Sequence, residues 1–130
     1  MAQQPSYMRT PLAKVRGLGS ARSGTVHFWR QRLTGVLLVP LTFAFVFVLL
    51  AVVRQDYNVV RQIVGNPFVS ILLLLFVLSS IYHMRIGMQV ILEDYLHVEG
   101  VKIGALLAND IFCVLVGVAC VYAVLKVGFT

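Results

Sequence analysis

Three uninterrupted apolar runs decide what this chain can become. Residues 33–53, 68–92 and 103–127 each supply the roughly 20 mostly apolar positions that an α-helix needs to cross the hydrocarbon core of a bilayer. No water is present there to satisfy backbone N–H and C=O groups, so each run is expected to be helical. No fourth run fits. The expected fold is all-α, an integral membrane protein with three transmembrane helices. With the interfacial residues included, the spans cover about 29–53, 68–93 and 103–127. A basic segment, 1–28, then precedes an anchor domain, 29–130, and no internal repeat or second domain is visible.

Charge placement orients the chain. Of eleven Lys and Arg residues, Arg9, Lys14, Arg16, Arg22, Arg30 and Arg32 precede or open the first run, and no acidic residue occurs before Asp56. The net charge of +6 therefore reads as a juxtamembrane basic segment facing anionic lipid, and not as a nucleic-acid face. Positive charge is retained on the cytoplasmic side, which predicts a cytoplasmic amino terminus, a periplasmic loop over 54–66 and a cytoplasmic return over 93–102. The first 28 residues are basic and acid-free like a transit peptide, but they have no apolar signal core. The segment is expected to be retained, which favours a bacterial cytoplasmic membrane over a mitochondrial inner membrane.

Local signals mark the ends and bends. Pro40 removes one backbone bond from the first span. Asn66 and Pro67 form a helix start, with Asn as cap and Pro in the first turn. The second and third spans should be antiparallel neighbours across a connection containing Gly100 and Lys102. Cys113 and Cys120, seven apart in an apolar stretch, read as free thiols packed like small hydrophobes.

Ionisable groups inside a span cost about 2.5–3.5 kcal/mol each on insertion scales unless paired or used. This chain has three, His83, Arg85 and Asp110. His83 is open to two readings, a neutral ring hydrogen-bonded to a neighbouring helix or a metal ligand. At 100° per residue, Gly87, Val90 and Asp94 lie within about 40° of His83 on the helix wheel. Gly87 leaves room either for a flat macrocycle or for a closely packed helix. His27 and His97 fall outside the apolar runs, so the chain offers one axial nitrogen within the bilayer, and a six-coordinate haem would need a second chain. Arg85 and Asp110 lie roughly 10–12 Å deep from the same membrane face, level and opposite in sign. A structural ion pair between them is expected, the alternative being that each snorkels separately to water.

The stretch Tyr82-His83-Met84-Arg85-Ile86-Gly87-Met88-Gln89-Val90-Ile91-Leu92-Glu93-Asp94-Tyr95 resembles the second span of the small, cytochrome b556-associated membrane-anchor subunits of succinate dehydrogenase (respiratory complex II). The shared pattern is a His, a Gly four residues on, then Gln-Val and Asp-Tyr. The segment from Phe28 to Thr34, ending Arg32-x-Thr34, is similar to the opening of the family's first span. The resemblance implies that His83 is one axial ligand of haem b, the other coming from the large cytochrome b anchor subunit. It further implies that Tyr95 hydrogen-bonds a ubiquinone carbonyl with Asp94 beside it. An iron–sulfur subunit and a flavoprotein subunit would complete the complex. Gly87 and Arg32 are the further candidates near haem, Arg32 by way of a propionate at the rim. Arg85 departs from the family pattern. Such a chain carries no succinate chemistry itself. The alternatives are an anchor of a quinol:fumarate reductase, a scaffold without haem, or a small transporter using His83, Arg85 and Asp110 as an ion path.

Overall fold

Every described segment of any length is helical, as apolar sequence without backbone partners in lipid requires. In a computed structural model of the chain, which describes residues 10–16 and 24–129, five helices follow one another: α1 (Pro11–Val15), α2 (Gly24–Val52), α3 (Tyr57–Gly65), α4 (Pro67–Tyr95) and α5 (Glu99–Phe129). Most of the basic segment 1–28, including Arg9 and Arg22, lies outside the described residues. Three helices are long and apolar enough to cross a membrane, over Thr25–Val52, Pro67–Tyr95 and Glu99–Gly128. No strand occurs among the described residues.

The helices outrun the apolar segments that predict them. At 1.5 Å per residue, 29, 29 and 31 residues give lengths of roughly 43–47 Å, against a hydrocarbon core of about 30 Å. Hydropathy marks only the part of a helix that must sit in lipid, whereas the backbone ladder continues into the headgroup layer. Gly100 and Lys102 accordingly lie inside α5, and the connection from α4 shortens to residues 96–98. At the other end of the chain's path, Asn66 accepts from the Phe68 amide at 3.0 Å, with Pro67 at the first helical position. Pro40 lies within α2 without ending it.

A nine-residue amphipathic helix, α3, occupies the expected 54–66 loop. Val60, Ile63 and Val64 face the protein while Tyr57 and Arg61 face out. The turn leading into it places Arg54 at φ 67°, a left-handed conformation that non-glycine residues adopt at a cost. The Ser70 hydroxyl donates to the Val64 carbonyl and fastens the end of α3 to the start of α4.

α4 is the central member. It packs against α2 on one side and α5 on the other, while among the described residues no Cα of α2 comes within 8 Å of one in α5. Phe45 of α2 stacks on Phe76 of α4 with ring centroids 4.5 Å apart and planes within 10°. On the other side, a Cβ at Gly117 would stand 3.4 Å from Ile81 Cδ1, so the small residue sets the approach of α5 to α4. Among the described residues only Leu73, Ile86 and Cys113 are buried. An open row of three helices leaves broad apolar faces for lipid and for other chains. Cys113 and Cys120 are free thiols.

Candidate functional site

Two clusters of polar side chains flank α4, one on each side. On the α2 side, residues 31, 34, 35 and 38 form one face at i, i+3, i+4 and i+7 spacing, and each is partly shielded while Arg32 and Leu33 are exposed. That face meets His83. Thr34 Oγ1 lies 2.9 Å from His83 Nδ1. Gln31 Nε2 lies 3.3 Å from His83 Nε2. A Cβ at Gly35 would stand 3.4 Å from His83 Cε1, so glycine there lets the ring lie close to α2.

The hydrogen-bond roles follow from what each atom can do. The Thr34 hydroxyl is 2.8 Å from the Arg30 carbonyl oxygen and 3.1 Å from that of Gln31, both of which only accept. Donation to either carbonyl leaves a hydroxyl lone pair for the imidazole. A proton on His83 Nδ1 would meet an acceptor in that hydroxyl, and Nε2 would then face the Gln31 side-chain amide. The Gln31 Oε1 atom is shielded and has no hydrogen-bond partner.

The space left by Gly87 is filled from α2. A Cβ there would be 3.1 Å from Gln31 Nε2, so Gly87 admits the Gln31 amide beside His83. Gln31 lies inside the Phe28–Thr34 segment, where the sequence alone does not single it out. Its legible signal is the i, i+3 pairing with Thr34 at the mouth of an otherwise apolar helix. Arg32 stands apart from His83, with its guanidinium 4.4 Å from the Phe28 ring centroid in a cation–π contact.

On the α5 side, Arg85 and Asp110 form a two-pronged ion pair, Nε to Oδ1 at 2.7 Å and Nη2 to Oδ2 at 2.8 Å. Arg85 is ten residues from the end of α4 and Asp110 eleven from the start of α5, about 15 Å of helix in each case. Asn109 donates to the Arg85 carbonyl at 3.2 Å, and Cys113 donates its thiol to Asn109 Oδ1 at 3.7 Å. The pair is 45% and 46% exposed, so about half its surface meets whatever flanks the chain. Arg85 thus points to α5, away from the His83 face.

The end of α4 carries the remaining candidates. Asp94 is exposed, and Tyr95, the last residue of the helix, is 77% exposed. Glu93 accepts from Gln89 at 2.8 Å, and its carbonyl accepts from Lys102 Nζ at 3.4 Å. The structure does not bring Asp94 and Tyr95 to His83. They sit about three turns farther along α4, at the end of the bundle where α2 begins. Among the described residues no three His, Cys, Asp or Glu side chains converge as a metal-binding group, so His83 stands as a single nitrogen donor.

Residues 6–124 match the family model described as succinate dehydrogenase/fumarate reductase transmembrane subunit. Among similar curated proteins is the succinate dehydrogenase hydrophobic membrane anchor subunit of Rickettsia bellii, 34% identical over 116 residues, covering 89% of this chain and 93% of that protein. The protein of the same description from Paracoccus denitrificans is 31% identical over 119 residues, covering 92% of each chain. The succinate dehydrogenase membrane anchor subunit of Reclinomonas americana is 34% identical over 85 residues, covering 63% of this chain and 71% of that protein. No solved structure matches. With three spanning helices and kinship over nearly its whole length, this chain belongs to the family of succinate dehydrogenase and fumarate reductase transmembrane subunits, among the hydrophobic membrane anchors.

Proposed function

We propose that the chain anchors a succinate:ubiquinone oxidoreductase in the bacterial cytoplasmic membrane, supplies one axial ligand of haem b through His83, and contributes Tyr95 and Asp94 to the ubiquinone site. The observation that carries this reading is the setting of His83, an imidazole within a span whose Nδ1 lies 2.9 Å from the Thr34 hydroxyl and whose Nε2 meets only a long 3.3 Å contact to the Gln31 amide. The residues fit an axial role. Nδ1 is held by a hydroxyl, as the second nitrogen of a metal-bound histidine commonly is by a hydrogen-bond acceptor. Beside the ring runs an open groove of about 330 Å³ lined by Gly35, Leu38, Val39, Thr42 and Phe43, which another chain can close. Haem b supplies one-electron transfer when bound. The single nitrogen offered here calls for a second ligand from a large cytochrome b anchor subunit.

Arg30 and Arg32 open α2 at the same end of the bundle as Asp94 and Tyr95. With the basic segment held in the cytoplasm, that end faces the side on which the iron–sulfur and flavoprotein subunits would dock. Arg32 is there placed to meet an acidic group at the rim, such as a propionate.

His83→Ala in the purified complex tests the ligand. The low-spin b-type spectrum of the reduced and oxidised enzyme should turn high-spin or vanish, with the subunits still assembled. A low-spin spectrum unchanged in optical and paramagnetic resonance measurements would refute the assignment.

A further inference from the structure

Thr34 does more than close its own helix. Thr42, one face away on α2, also donates to a carbonyl four residues back, that of Leu38 at 2.7 Å, and this is the ordinary use of a threonine in a span. Thr34 makes the same bond and then presents its lone pair to His83 Nδ1 at 2.9 Å. We propose that Thr34 is the positioning residue of His83, holding the imidazole with its proton on Nδ1 and its lone pair on Nε2.

The need for such a group is physical. A neutral imidazole in an apolar setting has two tautomers and can turn its ring over, so without a fixed partner either nitrogen can present a lone pair. Three features on α2 remove that freedom together. Gly35 lets the ring approach within contact distance of the helix. The Arg30 carbonyl takes the Thr34 proton and so leaves the hydroxyl as an acceptor. The Gln31 side-chain amide lies 3.3 Å from Nε2 and hems in the other edge of the ring. The Gln31 amide meets the coordinating nitrogen only at a long 3.3 Å, whereas the Thr34 contact, at 2.9 Å, is to the opposite nitrogen. The consequence for coordination rests on the haem-ligand reading of His83, and the tautomer does not.

The test uses Thr34→Val, which keeps shape and removes the hydroxyl, and Thr34→Ser, which restores it. In the purified complex, haem transfer to added apomyoglobin should run about tenfold faster in Thr34→Val, with Thr34→Ser close to wild type, as expected when an outer partner of a metal ligand is lost. In the full chain prepared without haem and labelled with ¹⁵N-histidine, His83 should be protonated at Nδ1 in wild type and a mixture of tautomers in Thr34→Val. A wild-type tautomer retained in Thr34→Val overturns the proposal, as does wild-type haem retention by that variant in a haem-containing complex. If the wild-type complex has no b-type spectrum, the haem reading falls and the tautomer measurement alone decides the role of Thr34.

Discussion

Replacing Tyr95 by Phe in the assembled complex is expected to lower quinone reduction by about a hundredfold or more, while succinate oxidation with an artificial acceptor at the flavoprotein persists. Reduction of ubiquinone puts two electrons on a ring whose carbonyl oxygens must gain two protons. A site for it needs a hydrogen-bond donor at the carbonyl and a short route to water. Tyr95 ends α4, is 77% exposed in the isolated chain and follows Asp94, so its phenol lies where a headgroup-level ring and water can both reach it. The phenol O–H can donate a hydrogen bond to the negative charge that develops on the carbonyl oxygen. Phe preserves the aromatic ring that anchors a helix end at the interface and removes only the hydroxyl. Normal quinone turnover by a normally assembled Tyr95→Phe complex would reduce Tyr95 to an interfacial anchor.

Asp110→Leu should be the most damaging single change to the integrity of the chain. It leaves the Arg85 guanidinium without its carboxylate about 15 Å from the helix ends, too deep for an easy escape to water. A lone Arg at the centre of a span costs on the order of 2.5–3.5 kcal/mol on insertion scales, roughly a hundredfold or more in an equilibrium. The amount of chain in membranes and the thermal stability of the purified complex should both fall sharply. Arg85→Leu combined with Asp110→Leu removes both charges and should recover most of the loss, because the damage comes from the unpaired partner and not from the missing bond. A double variant as impaired as the single one would show that the charges serve something other than each other.

The parts legible in the sequence were those governed by one-dimensional rules. Span number follows from the lengths of the apolar runs. The meeting of Arg85 with Asp110 follows from depth, since two opposite charges level in adjacent antiparallel helices have a common plane. Helix ends were less legible because hydropathy stops at Lys102 or Asp94 while backbone hydrogen bonding does not. α3 escaped because nine residues with Val60, Ile63 and Val64 on one side give too short an apolar pattern to stand out from a loop. Gln31 and Thr34 needed the third dimension. Their i, i+3 spacing is visible, but that α2 turns this face to His83 depends on which side of α4 each neighbour takes. Gly87 illustrates the same limit: its missing side chain was apparent, and what fills the space was not.

The short link between α4 and α5 bears on how the polypeptide enters the bilayer. Only residues 96–98 separate the two helices, and each carries half of a mutually neutralising pair. During synthesis α4 emerges first, bearing an arginine that lipid does not tolerate cheaply, and the carboxylate that quiets it arrives about 25 residues later on the returning strand of the hairpin. The favourable course is for α4 to wait at the insertion machinery and to leave it together with α5, as one doubly charged but neutral unit.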